Sequence, residues 1–208
     1  MRIPSWIIAL LEKIGSAYHK VAPRDDENRP TEALHEFCFK AKFIHPDYDS
    51  ARLGLSIAKI LKSTHLCSMA TSGKDGSCHI NTAFFCFNEA LLIFFVSDPA
   101  TQHCKNLLGT SSMAMSVFYS HQPWGSALRG LQLFGQCVQV ADAEKKQASE
   151  LYKEIFPLYA GYLATLSPQE RDTLPFRFFV FRPDVVKIID EDEFGEETFV
   201  LTTIDRGL

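Results

Sequence analysis

The sequence predicts a mainly β fold with flanking helices, an antiparallel barrel of about six to seven strands behind an N-terminal helical extension. Three observations carry this. Apolar runs of strand length follow one another closely from residue 65 onward, separated by turn residues. Aromatic residues make up 12% of the chain and 17 residues are Phe, a side chain that suits a pleated, half-buried surface. Helical periodicity is confined to a few short segments.

Taken in order, the chain opens on "MRIPSWIIALLEKIGSAYHKVAP". Ser5 can cap a helix on which Ile7, Leu10, Leu11 and Ile14 share one face. The apolar run from Trp6 to Leu11 is too short for a signal sequence, and no small-residue cleavage site follows. A membrane span, which takes about 20 apolar residues, is excluded as well. Only Arg2, Lys13 and Lys20 are basic there, so the helix is expected to dock on its own domain or a partner subunit rather than a membrane. Residues 22–32, polar and holding two prolines, read as a linker. Residues 33–50 read equally as a short strand or a loop. The expected division is an extension over 1–50 and a barrel domain over 51–208.

Asp49 or Ser50 can cap the next helix, whose apolar face is Leu53, Ile57, Ile60 and Leu61. Strands follow at 65–71, 77–87 and 91–97, joined by the turns "SGKDG" and "NEA". A helix is predicted from Pro99 to about Leu108, with Pro99 at its first position and Gly109 as its C-cap. Strands at 112–120 and 128–142 flank the loop "HQPWGSA". Asp142 is placed to cap the helix "AEKKQASELYKEIF", and "SPQE" at 167–170 is a capping box. One or two strands over 176–190 and another in "ETFVLTTI" close the sequence.

Composition bounds the function. A net charge of -4 and a pI near 6.0 give no basic footprint for nucleic acid. The cysteines, at 38, 67, 78, 86, 104 and 137, include no Cys-x-x-Cys pair. Most lie in apolar runs, which points to free buried thiols in a reducing cytoplasm. No metal-ligand cluster and no Ser-His-Asp arrangement can be argued from spacing.

From about Ala51 to Ile189 the ordered series "HLCSMATSGKDGSCHINTAFF", "VSDPATQHCKNL", "SSMAMSVF" and "RGLQLFGQCVQV" resembles the FMN-binding split barrels, the superfamily of pyridoxamine 5'-phosphate oxidase. Within it, "THLCSMAT", "TQH" and "RGLQLFG" are similar to a set of uncharacterised bacterial members. The resemblance implies a split β-barrel, an FMN cofactor and a homodimer with flavin sites between its two subunits. It places the flavin phosphate between the second strand and the start of the helix after the third.

On that reading His79 and Asn81 point to one strand face and Thr82 to the other. Ser97 and Thr101 add hydroxyls at the helix start, and Gln102, His103 and Lys105 add donors or charge. Gln132, read as a buried amide, is placed at the flavin ring edge, and Trp124 over the flavin or in a dimer seam. The oxidase has basic residues where this chain has His79, Asn81, Thr82, Gln102 and His103. Its C-terminal substrate arginine and histidine find no clear counterpart, so pyridoxamine 5'-phosphate is not the expected substrate. The function implied is an FMN-dependent oxidoreductase acting on a small molecule, with no catalytic side chain assigned. Two alternatives stand beside it. One is a non-catalytic flavin or haem carrier or sensor, although haem-degrading relatives use a C-terminal histidine and no His follows His121 here. The other is a cofactor-free barrel acting through protein contacts.

Overall fold

A computed structural model describes residues 38–207. The expected N-terminal helix and linker lie outside the described residues. Six strands close an antiparallel barrel in the order β7 (Arg177–Asp190), β4 (Ile93–Ser97), β3 (Cys78–Phe87), β2 (Leu66–Ser72), β5 (Ser112–Val117) and β6 (Arg129–Gln139), which returns to β7. Two more strands, β8 (Phe199–Asp205) and β1 (Lys42–Ile44), extend the sheet beyond β7. Part of the ambiguous segment 33–50 is therefore a strand.

The length of β7 explains the split. Its first residues, Arg177 to Phe181, pair with β4, and Val185 to Ile189 pair with β8. Along most of its other edge it pairs with β6. One 14-residue strand thus belongs to the barrel at one end and to the outer sheet at the other. The β6–β7 register shifts at Phe134/Gly135. A Cβ on Gly135 would stand 2.1 Å from the Arg182 carbonyl oxygen, so only glycine allows this approach.

Helix α1 (Ser50–Ser63) is capped by Asp49, which accepts from the Arg52 N–H. All four residues of its predicted apolar face are buried, in one cluster with Phe85, Phe95, Phe181 and Ile188. Helix α2 (Gln102–Gly109) follows β4. Helix α3 (Asp142–Ile155) lays Ala148 and Tyr152 over Cys86, Phe94 and Val180, covering the outer side of β3, β4 and β7. Asp142 is its first residue and not its cap, because Ala141 holds the extended N-cap geometry and Lys145 reaches back to the Asp142 carboxylate. The next helix starts at once, with Pro157 in the first turn of α4 (Pro157–Ala164). The capping box at Ser167 and Glu170 opens α5 (Pro168–Asp172), and α6 (Glu191–Phe194) follows β7.

Several boundaries move for local reasons. Strand β4 begins at Ile93 because Asn88 accepts from the Ala90 and Leu92 N–H groups and Leu91 turns through a φ of 53°. Four cysteines are buried, whereas Cys38 and Cys78 are exposed. Burial pushes the Cys67 and Cys86 thiols up to about 12, so they stay protonated and inert at neutral pH. No helix among the described residues is long and apolar enough to cross a membrane.

Candidate functional site

The site begins where β4 hands over to α2. Asp98 organises the turn. Its carboxylate accepts from the Ala100 N–H at 2.8 Å, and its carbonyl accepts from the Thr101 N–H at 3.0 Å and the Thr101 hydroxyl at 2.7 Å. This turn consumes residues 98–101, so the helix starts at Gln102 rather than Pro99. It also ends at Gly109, with Thr110 and not Gly109 as the C-cap. Thr101 is the N-cap, but its hydroxyl points back to Asp98 and caps nothing. The first turn of α2 therefore has no side-chain cap, and the Asp98 carboxylate is engaged outside the helix.

Four of the predicted residues meet at this helix end. The His103 Nε2 atom lies 2.8 Å from Ser97 Oγ and 3.3 Å from Thr101 Oγ1, and the two hydroxyl oxygens are 3.4 Å apart. The His79 ring stacks beside His103, with centroids 6.3 Å apart and planes 11° off parallel. His103 is buried, and burial first and the neighbouring His79 second lower its pKa. Since the one Thr101 hydroxyl hydrogen goes to Asp98, Thr101 can only accept from its other neighbours.

A second chain of bonds locks the helix to the β2–β3 hairpin. Gln102 Nε2 donates to Asn106 Oδ1 at 2.8 Å, and Asn106 Nδ2 donates to Thr71 Oγ1 at 3.0 Å. Thr71 is the cross-strand partner of His79. Sequence reasoning found Gln102 but missed Thr71 and Asn106. The readable signal was the Gln102–Asn106 spacing of one helical turn. It also missed Arg177, the cross-strand partner of Ser97 at the start of β7. Arg177 Nη1 donates to the carbonyls of Leu174 at 2.6 Å and Phe176 at 2.8 Å, and Arg177 forms no ion pair among the described residues.

The remaining predicted residues stand apart from this cluster. Asn81 donates to the Thr82 carbonyl, and Lys105 is exposed on α2. Thr82 faces outward, in one row across the sheet with Ser68, Ser116, Gln132, Lys187 and Leu201. Gln132 is exposed there and not the buried amide expected, because Leu131 and Leu133 take the inward positions of β6. Trp124 is fully exposed on the loop between β5 and β6.

A family model described as pyridoxamine 5'-phosphate oxidase matches residues 56–190, more than half of the 208-residue chain. No curated protein matches the sequence. Among solved structures, the fold is similar to that of a haem-binding protein from Mycobacterium smegmatis, with a TM-score of 0.58 at 16% identity. That match covers 71% of this chain and 56% of the other, so the chain spans little more than half of that protein's length. It is also similar to HutZ, the haem storage protein from Vibrio cholerae (TM-score 0.51, 15% identity, 70% and 92% coverage). A third likeness is to a Clostridium acetobutylicum protein related to general stress protein 26, of the pyridoxinephosphate oxidase family (TM-score 0.51, 12% identity, 72% and 92% coverage). At these identities the likenesses speak for the fold.

Proposed function

We propose a flavin-binding function on the premise that the chain belongs to the pyridoxamine 5'-phosphate oxidase family, whose model matches residues 56–190. The ligand is FMN, and its phosphate lies at the N-terminus of α2. One observation carries this reading: Ser97, Thr101, His103 and His79 converge on a helix end that no side chain caps. Those groups suit a phosphate. The first-turn N–H groups and the helix dipole favour an anion. Ser97 can turn its hydroxyl to a ligand, and the imidazole rings of His103 and His79 can offer N–H donors to one. Arg177 has guanidinium N–H groups beyond the two carbonyl bonds of its Nη1. Asn106 and Thr71 keep Gln102 and the helix in register with the hairpin.

Bound FMN would supply the redox chemistry, as an oxidoreductase acting on a small molecule. The chain's own part is to hold the phosphate and orient the ring. The outer barrel face supports a homodimer. Ile80, Phe118, Phe134, Phe199 and Leu201 are exposed on it, an apolar surface that a lone chain leaves in water. In such a pair Thr82, Gln132 and Trp124 would be offered to the flavin from the outer surface. A light-scattering mass near one 23.5 kDa chain at micromolar concentration overturns the dimer.

A fluorescence-quench titration of FMN and riboflavin tests the phosphate site. FMN should bind more tightly than riboflavin. A hydrogen bond to a charged group is worth about 1.5–3 kcal/mol, so Ser97→Ala should weaken FMN roughly tenfold or more and leave riboflavin nearly unchanged. Thr101→Val should have the same direction of effect, through the turn that its hydroxyl stabilises. Equal affinity for the two ligands in the unmodified protein overturns the site. Reduction of the bound flavin by NADH or NADPH without oxygen tests the oxidoreductase reading.

A further inference from the structure

The barrel end remote from the α2 cluster carries a cavity that the flavin reading leaves unused. There α1 finishes, and β5 gives way to β6 through the loop of residues 118–128. The cavity measures about 470 Å³, within the usual range for small-molecule sites. Lys59, Ser63, Tyr119, His121, Arg129 and Asp192 line it, with Ile60, Pro123 and Ala127 as apolar wall.

Its walls are fixed in advance. The Gln122 amide donates to the carbonyls of Tyr119 at 3.0 Å and Arg129 at 2.9 Å and accepts from the Arg129 N–H at 2.7 Å, tying both ends of the loop together. Glu191 accepts from the Leu128 and Glu197 N–H groups at 2.7 and 3.1 Å, which holds the same loop to α6. The rings of Tyr119 and His121 lie 5.3 Å apart at 38° and form an aromatic side.

The charges do not cancel inside it. Arg129 is paired with Asp192 at 2.9 Å. Lys59 is not matched in the same way. Its ammonium pairs with Glu193 Oε2 only at 3.9 Å, while Arg52 holds Oε1 of the same carboxylate at 2.8 Å. Among the lining residues two cations face one carboxylate, in a chain whose net charge is -4. A loosely paired ammonium beside an aromatic wall in a preformed cavity is suited to a flat organic anion.

We propose that this cavity is a second ligand site, for a small planar aromatic carboxylate. The carboxylate meets Lys59, and the ring lies against Tyr119 and His121. The site is independent of the flavin reading, so loss of FMN binding would not touch it.

Benzoate and nicotinate, with benzamide and nicotinamide as neutral partners, are the probes. Each is titrated into the full chain and followed by ligand-observed NMR. The carboxylates should bind at least about tenfold more tightly than the amides, as expected for a charge-assisted contact. Lys59→Gln should bring acid and amide to equal affinity, while Lys59→Arg keeps the preference. His121→Ala should weaken acid and amide alike. Melting temperatures of the variants check that the fold is intact. Equal binding of acid and amide in the unmodified protein overturns the proposal, as does absence of binding by either carboxylate at concentrations of several times about 1 mM.

Discussion

At the α2 end of the barrel, Ser97, Thr101, His103 and His79 are held by neutral hydrogen bonds and ring stacking, with His103 buried. At the loop end, Arg52, Lys59 and Arg129 face Asp192 and Glu193 in partly exposed ion pairs. The contrast follows from solvent access. A buried group is tolerated only if it is neutral or paired, so the α2 end relies on hydrogen bonds between its side chains. Exposed charges keep their hydration and gain little from pairing, so the loop end relies on backbone ties such as Gln122 and Glu191 for its shape. The first end should respond to loss of single atoms and to pH, the second to salt.

The largest effect should come from breaking the frame that both ends share. Gly135→Val forces a side chain into the Arg182 carbonyl at the β6–β7 closure. Its cost should exceed about 3 kcal/mol, read as a collapse of the denaturant midpoint or as insoluble protein. Preservation of the midpoint would mean that the barrel can re-register around the bulge.

Next comes the α2 end alone. Asn106→Ala removes the link between Gln102 and Thr71, both of whose bonds to Asn106 lie in or beside the buried interior. It should cost about 1–3 kcal/mol in chemical denaturation, with increased amide exchange in α2 ahead of global unfolding. The matching change at the loop end, Glu193→Gln, removes the carboxylate shared by Arg52 and Lys59. The loss should be smaller than for Asn106→Ala and should vanish in high salt. An equal loss that persists in high salt would erase the distinction between the ends.

The smallest effect is a pH slope. The folded His103 holds its proton less readily than an unfolded histidine, whose pKa is about 6.5. Above that value both states are neutral, and His103 contributes no pH dependence. Below it the unfolded chain binds more protons than the folded one, so stability should fall as pH drops from about 6.5 toward the folded pKa. Urea midpoints measured between about pH 7.5 and 5.5 should show the slope, and His103→Gln should flatten it.

Much of this molecule is legible in local pattern. Helical spacing identified Leu53, Ile57, Ile60 and Leu61 as one buried face, and all four are in the core. The period of two separated His79 from Thr82, and the register places them on opposite faces. The Ser167–Glu170 capping box needs only the bonds available within one turn, and it forms as read. Where a residue's partners lie within a few positions of it, the sequence determined the outcome. The start of α2 is the instructive exception. Pro99 suits a first helical position, yet Asp98 draws Ala100 and Thr101 into a turn first, and two local preferences competed.

What only the tertiary structure decided lies across the sheet. Arg177 stands beside Ser97 because β7 pairs with β4, and Asn106 meets Thr71 because α2 settles on the β2–β3 hairpin. Gln132 lies beside Lys187, in a row with Thr82, because β7 pairs with β6 and closes the barrel. Lys59 and Arg52, two turns apart on α1, share the two oxygens of Glu193, and Arg52 makes the shorter contact. Such neighbours are set by barrel closure and by the competition of several groups for one partner. Local periodicity encodes neither, since it fixes which face a side chain takes and leaves open which strand will lie beside it.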